Sequence, residues 1–493
     1  MNEVEQNRRH RAWLAAVTGS LVLCACALQP PYQAPRVAAA IGWQAELPHG
    51  ASVENLVDWW RRFDDPAVAE LIRTAEADSP TLAKAVAQIN EARATLASSS
   101  ADAWPALTGS GSVMRDKSVM ALGNTSLTSL TTTRSGTLDA SWEIDLFGKV
   151  RSGRESSQAQ LEARVDDWHD ARVSLAAEVA DDYVQYRACR QLARAYDQSA
   201  ASYAQTEKST LAAVHAGMTP SSDGYLAQAS TASANATATQ QHVACEELIK
   251  SLVELTGDGE QALRDIVDRP EAPDLPRPAA FRVQTAPADL IRQRPDLASS
   301  ERALAAAYAA IGQARADRFP SLSLSGSVGL SATSLTAPMS TWSFGPSLSV
   351  PLFDAGKRKA AVDSAQASYD TQLAAYRRAV RTAIKEVEVA LADLDGAARR
   401  SDDARRAAEQ YRRYESAVET SWRAGFDTLL TLEQARRSLT GADITNIELQ
   451  RDRIRSWIAL YKALGGGWQG NDAVISAGHP APTTPATLQG ITQ

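Results

Sequence analysis

The chain has 493 residues, enough for two or three ordinary domains, but only 7 Phe, 5 Met and 4 Cys. Ala, Ser, Gln, Arg and Glu are plentiful, which favours long helices over a large aromatic core. The net charge of -7 and the pI near 5.6, with basic residues mixed among acids instead of gathered in blocks, argue against a nucleic-acid partner.

The N-terminus reads as an export signal over residues 1–25. Arg8, Arg9 and Arg11 supply a positive start, Ala12 to Leu23 an apolar stretch, and Leu23-Cys24-Ala25-Cys26 follows. A dozen or so apolar residues is too short to cross a bilayer. Leu at −3 and Ala at −1 before Cys26 resemble the lipobox of bacterial lipoproteins, whose cysteine is acylated and becomes the mature N-terminus. Cys24 fits less well, since bulky Leu23 would stand at −1. Acyl chains on Cys26 would anchor the chain to outer-membrane lipid at roughly 0.8 kcal/mol per buried methylene, and Ala27 after the cysteine implies outer-membrane sorting. No later segment offers some 20 consecutive apolar residues, so a spanning part must be a β-barrel.

The rest of the chain is duplicated. Adding 208 carries Gly148-Lys149 onto Gly356-Lys357, Ala216-Gly217 onto Ala424-Gly425 and Gly257 onto Gly465. Upstream the offset is 215, from Trp104-Pro105 to Phe319-Pro320, so the first copy holds seven extra residues, expected in a loop. Each copy reads as helix, strand, loop, strand, long helix, turn and helix. Thr81 to Ala103 and Ala298 to Arg318 are Ala-rich helical stretches ended by Trp104-Pro105 and Phe319-Pro320, since proline cannot continue a helix.

After each proline the period becomes two. Ser321 to Val328, Thr137 to Leu146 and Thr341 to Leu352 alternate apolar with small polar or acidic residues. Strands of about ten residues are long enough to cross a bilayer when tilted. Four strands cannot close a membrane barrel, whereas three chains would supply twelve. Lys149 to His215 and Lys357 to Arg423 then read as helices, each about 100 Å long at 1.5 Å per residue. Gly217 and Gly425 suit left-handed caps, and a second helix returns to about Leu255 and Leu464; each copy therefore forms a long antiparallel helical hairpin.

The sequence resembles the outer membrane efflux proteins of the TolC type, in the OprM/NodT-like lipoprotein branch. The matching stretches are Asp58-Trp59-Trp60 with Asp64-Asp65-Pro66, Trp142 to Gly148, Leu290 to Leu297, and Leu460 to Trp468. The resemblance implies an α+β membrane protein in which four transmembrane β-strands per protomer complete a trimeric 12-stranded β-barrel, continued by a long periplasmic α-helical barrel with a mixed equatorial domain. It implies a homotrimer working with a periplasmic adaptor (membrane fusion) protein and an inner-membrane RND-type transporter. The chain divides into an N-terminal equatorial segment 26–78, a first repeat 79–268 (β-hairpin 106–147, helical hairpin 149–257), a Pro-rich connector 269–294, a second repeat 295–467 (β-hairpin 321–352, helical hairpin 357–464) and a disordered tail 468–493.

By the same resemblance, a periplasmic gate lies at the hairpin ends. Leu430 takes an apolar gate position, Gln434 stands where the family has an acidic ring, and Arg437 takes a basic position. Three symmetry-related amides at Gln434 would hydrogen-bond without the charge repulsion of carboxylates. Glu433 points about 100° away and does not restore the ring. Asp223 matches a position that ties the hairpins; its expected partner is the Trp422 indole, while Asp427 replaces the family's basic partner and removes that tie. The closed state is therefore expected to rest on Leu430 packing and a Trp422–Asp223 bond.

Cys189 lies 28 residues before Gly217 and Cys245 lies 28 after it, which puts them at one height in an antiparallel hairpin. A disulfide and two buried thiols packing as small apolar groups are both open readings. An enzyme is the rival class, but no His-Glu-x-x-His, Gly-x-Ser-x-Gly, phosphate loop or Cys-x-x-Cys occurs, and no catalytic, cofactor or metal site is expected. A structural coiled coil would explain the helices but neither the alternating strands nor the duplication.

Overall fold

A computed structural model describes residues 29–35, 56, 59–122, 125–270, 273–278, 293–334 and 336–468. The signal region, Cys26, Asp58, most of the 269–294 connector and the tail beyond Trp468 lie outside the described residues. A 3-10 turn at Trp59–Arg62 leads into α1 (Pro66–Asp78) and α2 (Pro80–Ala101). Proline opens both helices, where its missing N–H is no loss. Asp65 caps α1 by accepting from the Ala67 amide at 3.0 Å, and Ser79 caps α2 by accepting from the Leu82 amide at 3.3 Å.

Strands β1 (Ala106–Leu122) and β2 (Thr125–Ile144) follow, then α3 (Lys149–His215), α4 (Ser221–Thr256) and the short α5 (Glu260–Val267). The second copy repeats the plan with α6 (Pro295–Ala316), β3 (Ser321–Thr333), β4 (Met339–Ser349), α7 (Lys357–Arg423) and α8 (Leu429–Ala463). Helices α3 and α7 each contain 67 residues, with the boundaries expected from sequence. Both begin after a left-handed glycine, Gly148 at φ 78° and Gly356 at φ 87°. Gly153 and Gly396 lie inside them without breaking the helix, because a lone glycine costs only about 1 kcal/mol against alanine.

Three local expectations change. The strands of the first hairpin are 17 and 20 residues long, not about ten. The seven extra residues of the first copy lengthen these strands, whose pairing persists to Leu122↔Thr125; no long loop is formed. Strand β4 stops at Ser349, short of Leu352, since Pro351 lacks the ladder donor. The second Ala-rich helix starts at Pro295, not Ala298.

The sheet is fully antiparallel in the order β1-β2-β3-β4, so the β2–β3 pairing joins the two copies. Below it, Ser156 of α3 donates to the Ala306 carbonyl of α6 at 3.0 Å, and Arg455 of α8 grips Asp181 of α3 at 2.7 and 3.0 Å. The main core gathers the family-like motifs. Trp59, fully buried, stacks on Tyr461 at 5.1 Å. Tyr183 donates to Asp65 at 2.5 Å. Arg294, 8 % exposed, reaches Asp296, Glu386 and the Ala463 carbonyl, joining the start of the second copy to its end. Gly465, at φ 80°, is required there, since a Cβ would lie 2.1 Å from the Gln293 carbonyl oxygen.

Candidate channel wall and periplasmic aperture

Register fixes the two faces of the sheet, because opposed residues in an antiparallel ladder share a face. The rows Gly109↔Leu138↔Val328↔Trp342 and Leu107↔Ala140↔Gly326↔Phe344 make one face apolar. The other face carries hydroxyls, with Ser110 bonded to Thr137 at 2.6 Å and Ser112 to Ser135 at 2.8 Å. On the apolar face the first charges are Arg134 and Arg115, opposite Val113 and Thr132. From Ile144 to Arg134 is ten steps along β2; at about 3.4 Å per step and a tilt of about 40° this is roughly 26 Å, the height of an outer-membrane apolar band.

Aromatic residues mark the lower border of that band. Trp142 Nε1 donates to the Ala103 carbonyl at 2.9 Å, Phe147 stacks on Phe319 at 5.0 Å, and Trp104 is exposed. Amphipathic rings settle at such membrane–water borders. An N-terminal strap runs just beneath: Gln29 Nε2 donates to the Tyr308 carbonyl at 2.7 Å and Tyr308 Oη to the Pro30 carbonyl at 3.2 Å. Its passage depends on Gly312, where a Cβ would lie 2.7 Å from Gln29 Oε1.

At the far end of the helices, Gly217 (φ 69°) and Gly425 (φ 82°) reverse the chain. Met218 and Phe426, one residue on in each copy, are 81 % and 84 % exposed. Leu430, Gln434 and Arg437 fall four and three residues apart on α8 and form one exposed stripe. Gln434 Oε1 accepts from Arg437 at 3.0 Å. Leu432 and Ala435, on the opposite side, are fully buried against Val418 and Trp422.

The expected Trp422–Asp223 bond is not formed within the protomer. Asp223 turns back on its own loop and accepts from Thr219 Oγ1 at 2.7 Å and Ser222 Oγ at 3.5 Å, while Trp422 packs on Val418 and Leu432. The loop hydroxyls are nearer partners than an indole on the other hairpin. Leu430 is 69 % exposed in the protomer, so the burial expected of it in a closed state has to come from outside the protomer. Asp427 is partly buried between Gly425 and α8.

The tie between the hairpins near the aperture runs through Thr206 and Arg436, not singled out from sequence, and through Glu433, weighed there only as a substitute for the acidic ring. Glu433 is 5 % exposed, accepts from Thr206 Oγ1 of α3, and is paired with Arg436 at 3.1 Å. Arg436 also lies 3.7 Å from both Glu415 and Glu419. The Glu433–Arg436 spacing was a readable helical pair, but Thr206, 227 residues away, was not. Cys189 and Cys245 are joined as a disulfide across α3 and α4, with Cα atoms 5.6 Å apart.

A sheet apolar on one side, sized to a bilayer and set on two helical hairpins, each opened by a 67-residue helix, defines a membrane channel protomer with a long helical extension. Residues 71–257 and 286–466 match the outer membrane efflux protein family, and the chain belongs to it. It is similar to the pyoverdine export outer membrane protein OpmQ of Pseudomonas putida, 31% identical over 468 residues, covering 91% of this chain and 96% of that protein. It is 29% identical over 469 residues to the antibiotic efflux pump outer membrane protein ArpC of Pseudomonas putida, covering 93% and 96%. Among solved structures, the open state of the Neisseria gonorrhoeae MtrE outer membrane channel superposes with a TM-score of 0.75 at 27% identity, covering 90% of this chain and 99% of that one. The chain is thus an outer-membrane efflux channel component of the TolC type, in a family of transport channels and not of enzymes.

Proposed function

We propose that three copies assemble into one duct that carries antibiotics or other small molecules from a periplasmic adaptor and an RND-type inner-membrane pump to the exterior. The observation that carries this reading is the open sheet. Strands β1 and β4 are its outer edges, each with an unpaired row of backbone donors and acceptors, which no bilayer tolerates. Pairing β4 of one protomer with β1 of the next closes a twelve-stranded barrel, with the apolar face to lipid and the hydroxyl face to the lumen.

Threefold symmetry brings the Leu430, Gln434 and Arg437 stripes around one axis, where the exposed leucines cover one another and narrow the aperture. With amides at Gln434, the constriction lacks a carboxylate ring. The strap supports lipidation of Cys26: Gln29 is clamped just below the membrane band and lies three residues after Cys26, a reach of about 10 Å. Mass spectrometry should find acyl chains on Cys26, and Cys26→Ala should still trimerise, because the barrel by itself supplies membrane residence.

Conductance in planar bilayers tests the whole reading. Purified protein should form channels, Leu430→Ala should raise the resting conductance, and Gln434→Asp should introduce block by divalent cations. If neither substitution changes conductance or block, the constriction is elsewhere.

A further inference from the structure

Charge is sorted by face across the sheet. Among the described side chains of β1 to β4, the hydroxyl face carries Asp116, Asp139 and Glu143 and no base. The apolar face carries Arg115, Lys117 and Arg134 and no acid. Glu143, at the base, is offset by Lys149 at 3.8 Å, which also pairs with Asp317 at 3.1 Å. Asp139 has only hydroxyl partners, Thr137 at 2.9 Å and Ser327. Asp116 stands opposite Thr131, eight residue steps above Asp139 by register. No ion pair for Asp116 or Asp139 occurs among the described residues.

We infer that the barrel lumen selects by charge, favouring cationic over anionic cargo of equal size, through Asp116 and Asp139. This rests on the trimeric channel proposed above and adds a cargo class to it. Threefold symmetry makes each aspartate a ring of three carboxylates. At Asp139, whose row crosses all four strands as Thr108↔Asp139↔Ser327↔Ser343, twelve strands about 4.8 Å apart and tilted about 40° give a backbone radius of about 12 Å, which leaves its carboxylates about 9 Å from the axis. One such ring in water enriches a monovalent cation on the axis about fivefold at 10 mM salt, about twofold at 150 mM and hardly at all at 1 M. Asp116, on the β1–β2 extension above the last β3 and β4 pairs, adds its charge at the outer mouth, in series with the Asp139 ring. The exposed aperture stripe carries Gln434 and Arg437 and no acid, so that stripe does not account for a cation preference.

The test is the potassium-to-chloride permeability ratio, from reversal potentials in planar bilayers. Trimers carrying Leu430→Ala serve as the parent, so that the aperture does not limit flow. The parent ratio should be severalfold above one at 10 mM KCl and approach one at 1 M. Asp116→Asn with Asp139→Asn, near-isosteric changes, should lower the 10 mM ratio at least threefold with conductance at 1 M KCl retained, and Asp139→Lys should lower it further. A parent ratio at or below one, or a ratio unchanged in the double Asn variant, overturns the inference while leaving the channel reading intact. Folded trimers that conduct nothing overturn the channel reading, and the inference with it. Flux from liposomes of a cationic and an anionic dye of matched size should follow the same order.

Discussion

Removing the Thr206 hydroxyl tests whether the two hairpins are held together at the aperture. Thr206 Oγ1 has one proton and two acceptors, the Ser202 carbonyl at 3.0 Å and the nearer Glu433 carboxylate. The carboxylate is the stronger acceptor and takes it. Thr206→Val keeps the shape and deletes the donor, leaving buried Glu433 with Arg436 at 3.1 Å. A hydrogen bond to a charged group contributes about 1.5–3 kcal/mol. Thr206 is only partly buried, so water recovers part of that, and about 1–2 kcal/mol per protomer is expected. If opening separates α8 from α3, the closed state loses this amount, and the open-to-closed ratio rises roughly fivefold to thirtyfold per bond. Concerted opening multiplies the factor over three copies. Single-channel recordings should show raised open probability for Thr206→Val and near wild-type behaviour for Thr206→Ser. Intact Val trimers with unchanged open probability would refute a Thr206–Glu433 restraint on the gate.

Further outcomes follow from the same geometry. The Cys189–Cys245 bridge closes a separation of 56 residues, worth about 4 kcal/mol by loop entropy; thiol titration of unreduced, denatured protein should find neither residue reactive, and Cys189→Ser with Cys245→Ser should unfold at lower temperature. Burial lifts Asp166 to about 7, with Arg302 opposing and Glu162, Asp167 and Glu301 adding to the rise. Its folded form therefore holds a proton that the unfolded chain has lost, and the associated stability is complete below about pH 4 and disappears as pH rises through 7. Asp166→Asn should match wild type in thermal unfolding at pH 4 and exceed it at pH 8; equal melting at both refutes the shift. Gly465→Ala should abolish stable trimers, since its Cβ would lie 2.1 Å from the Gln293 oxygen, whereas Gly396→Ala, with nothing within 4 Å, should be neutral or stabilising by about 1 kcal/mol. Heat-stability on semi-native gels separates the two.

The sequence by itself determined the elements that short-range physics controls. Gly217 and Gly425 ended the long helices where a left-handed cap was needed, and the approximate bounds of both 67-residue spans were legible. The duplication fixed two like hairpins, and period-two alternation separated the lipid face from the hydroxyl face before any register was known. Strand length was not legible, because β1 and β2 continue past the apolar band into stretches where Arg115, Lys117 and Arg134 blur the alternation.

Only the tertiary structure decided which partners meet. Asp223 could be matched to a tying position by alignment, yet its carboxylate is satisfied by Thr219 in its own loop. A bond that does join the hairpins near the aperture pairs Thr206 with Glu433, 227 residues apart. Cys189 and Cys245 were at one height by counting, but whether their side chains faced each other depended on the rotation of α3 against α4, which a residue count does not contain. Periodicity is written along one chain and is set by local backbone geometry. A contact between two helices depends on their relative rotation and height, and packing of the whole fold sets both.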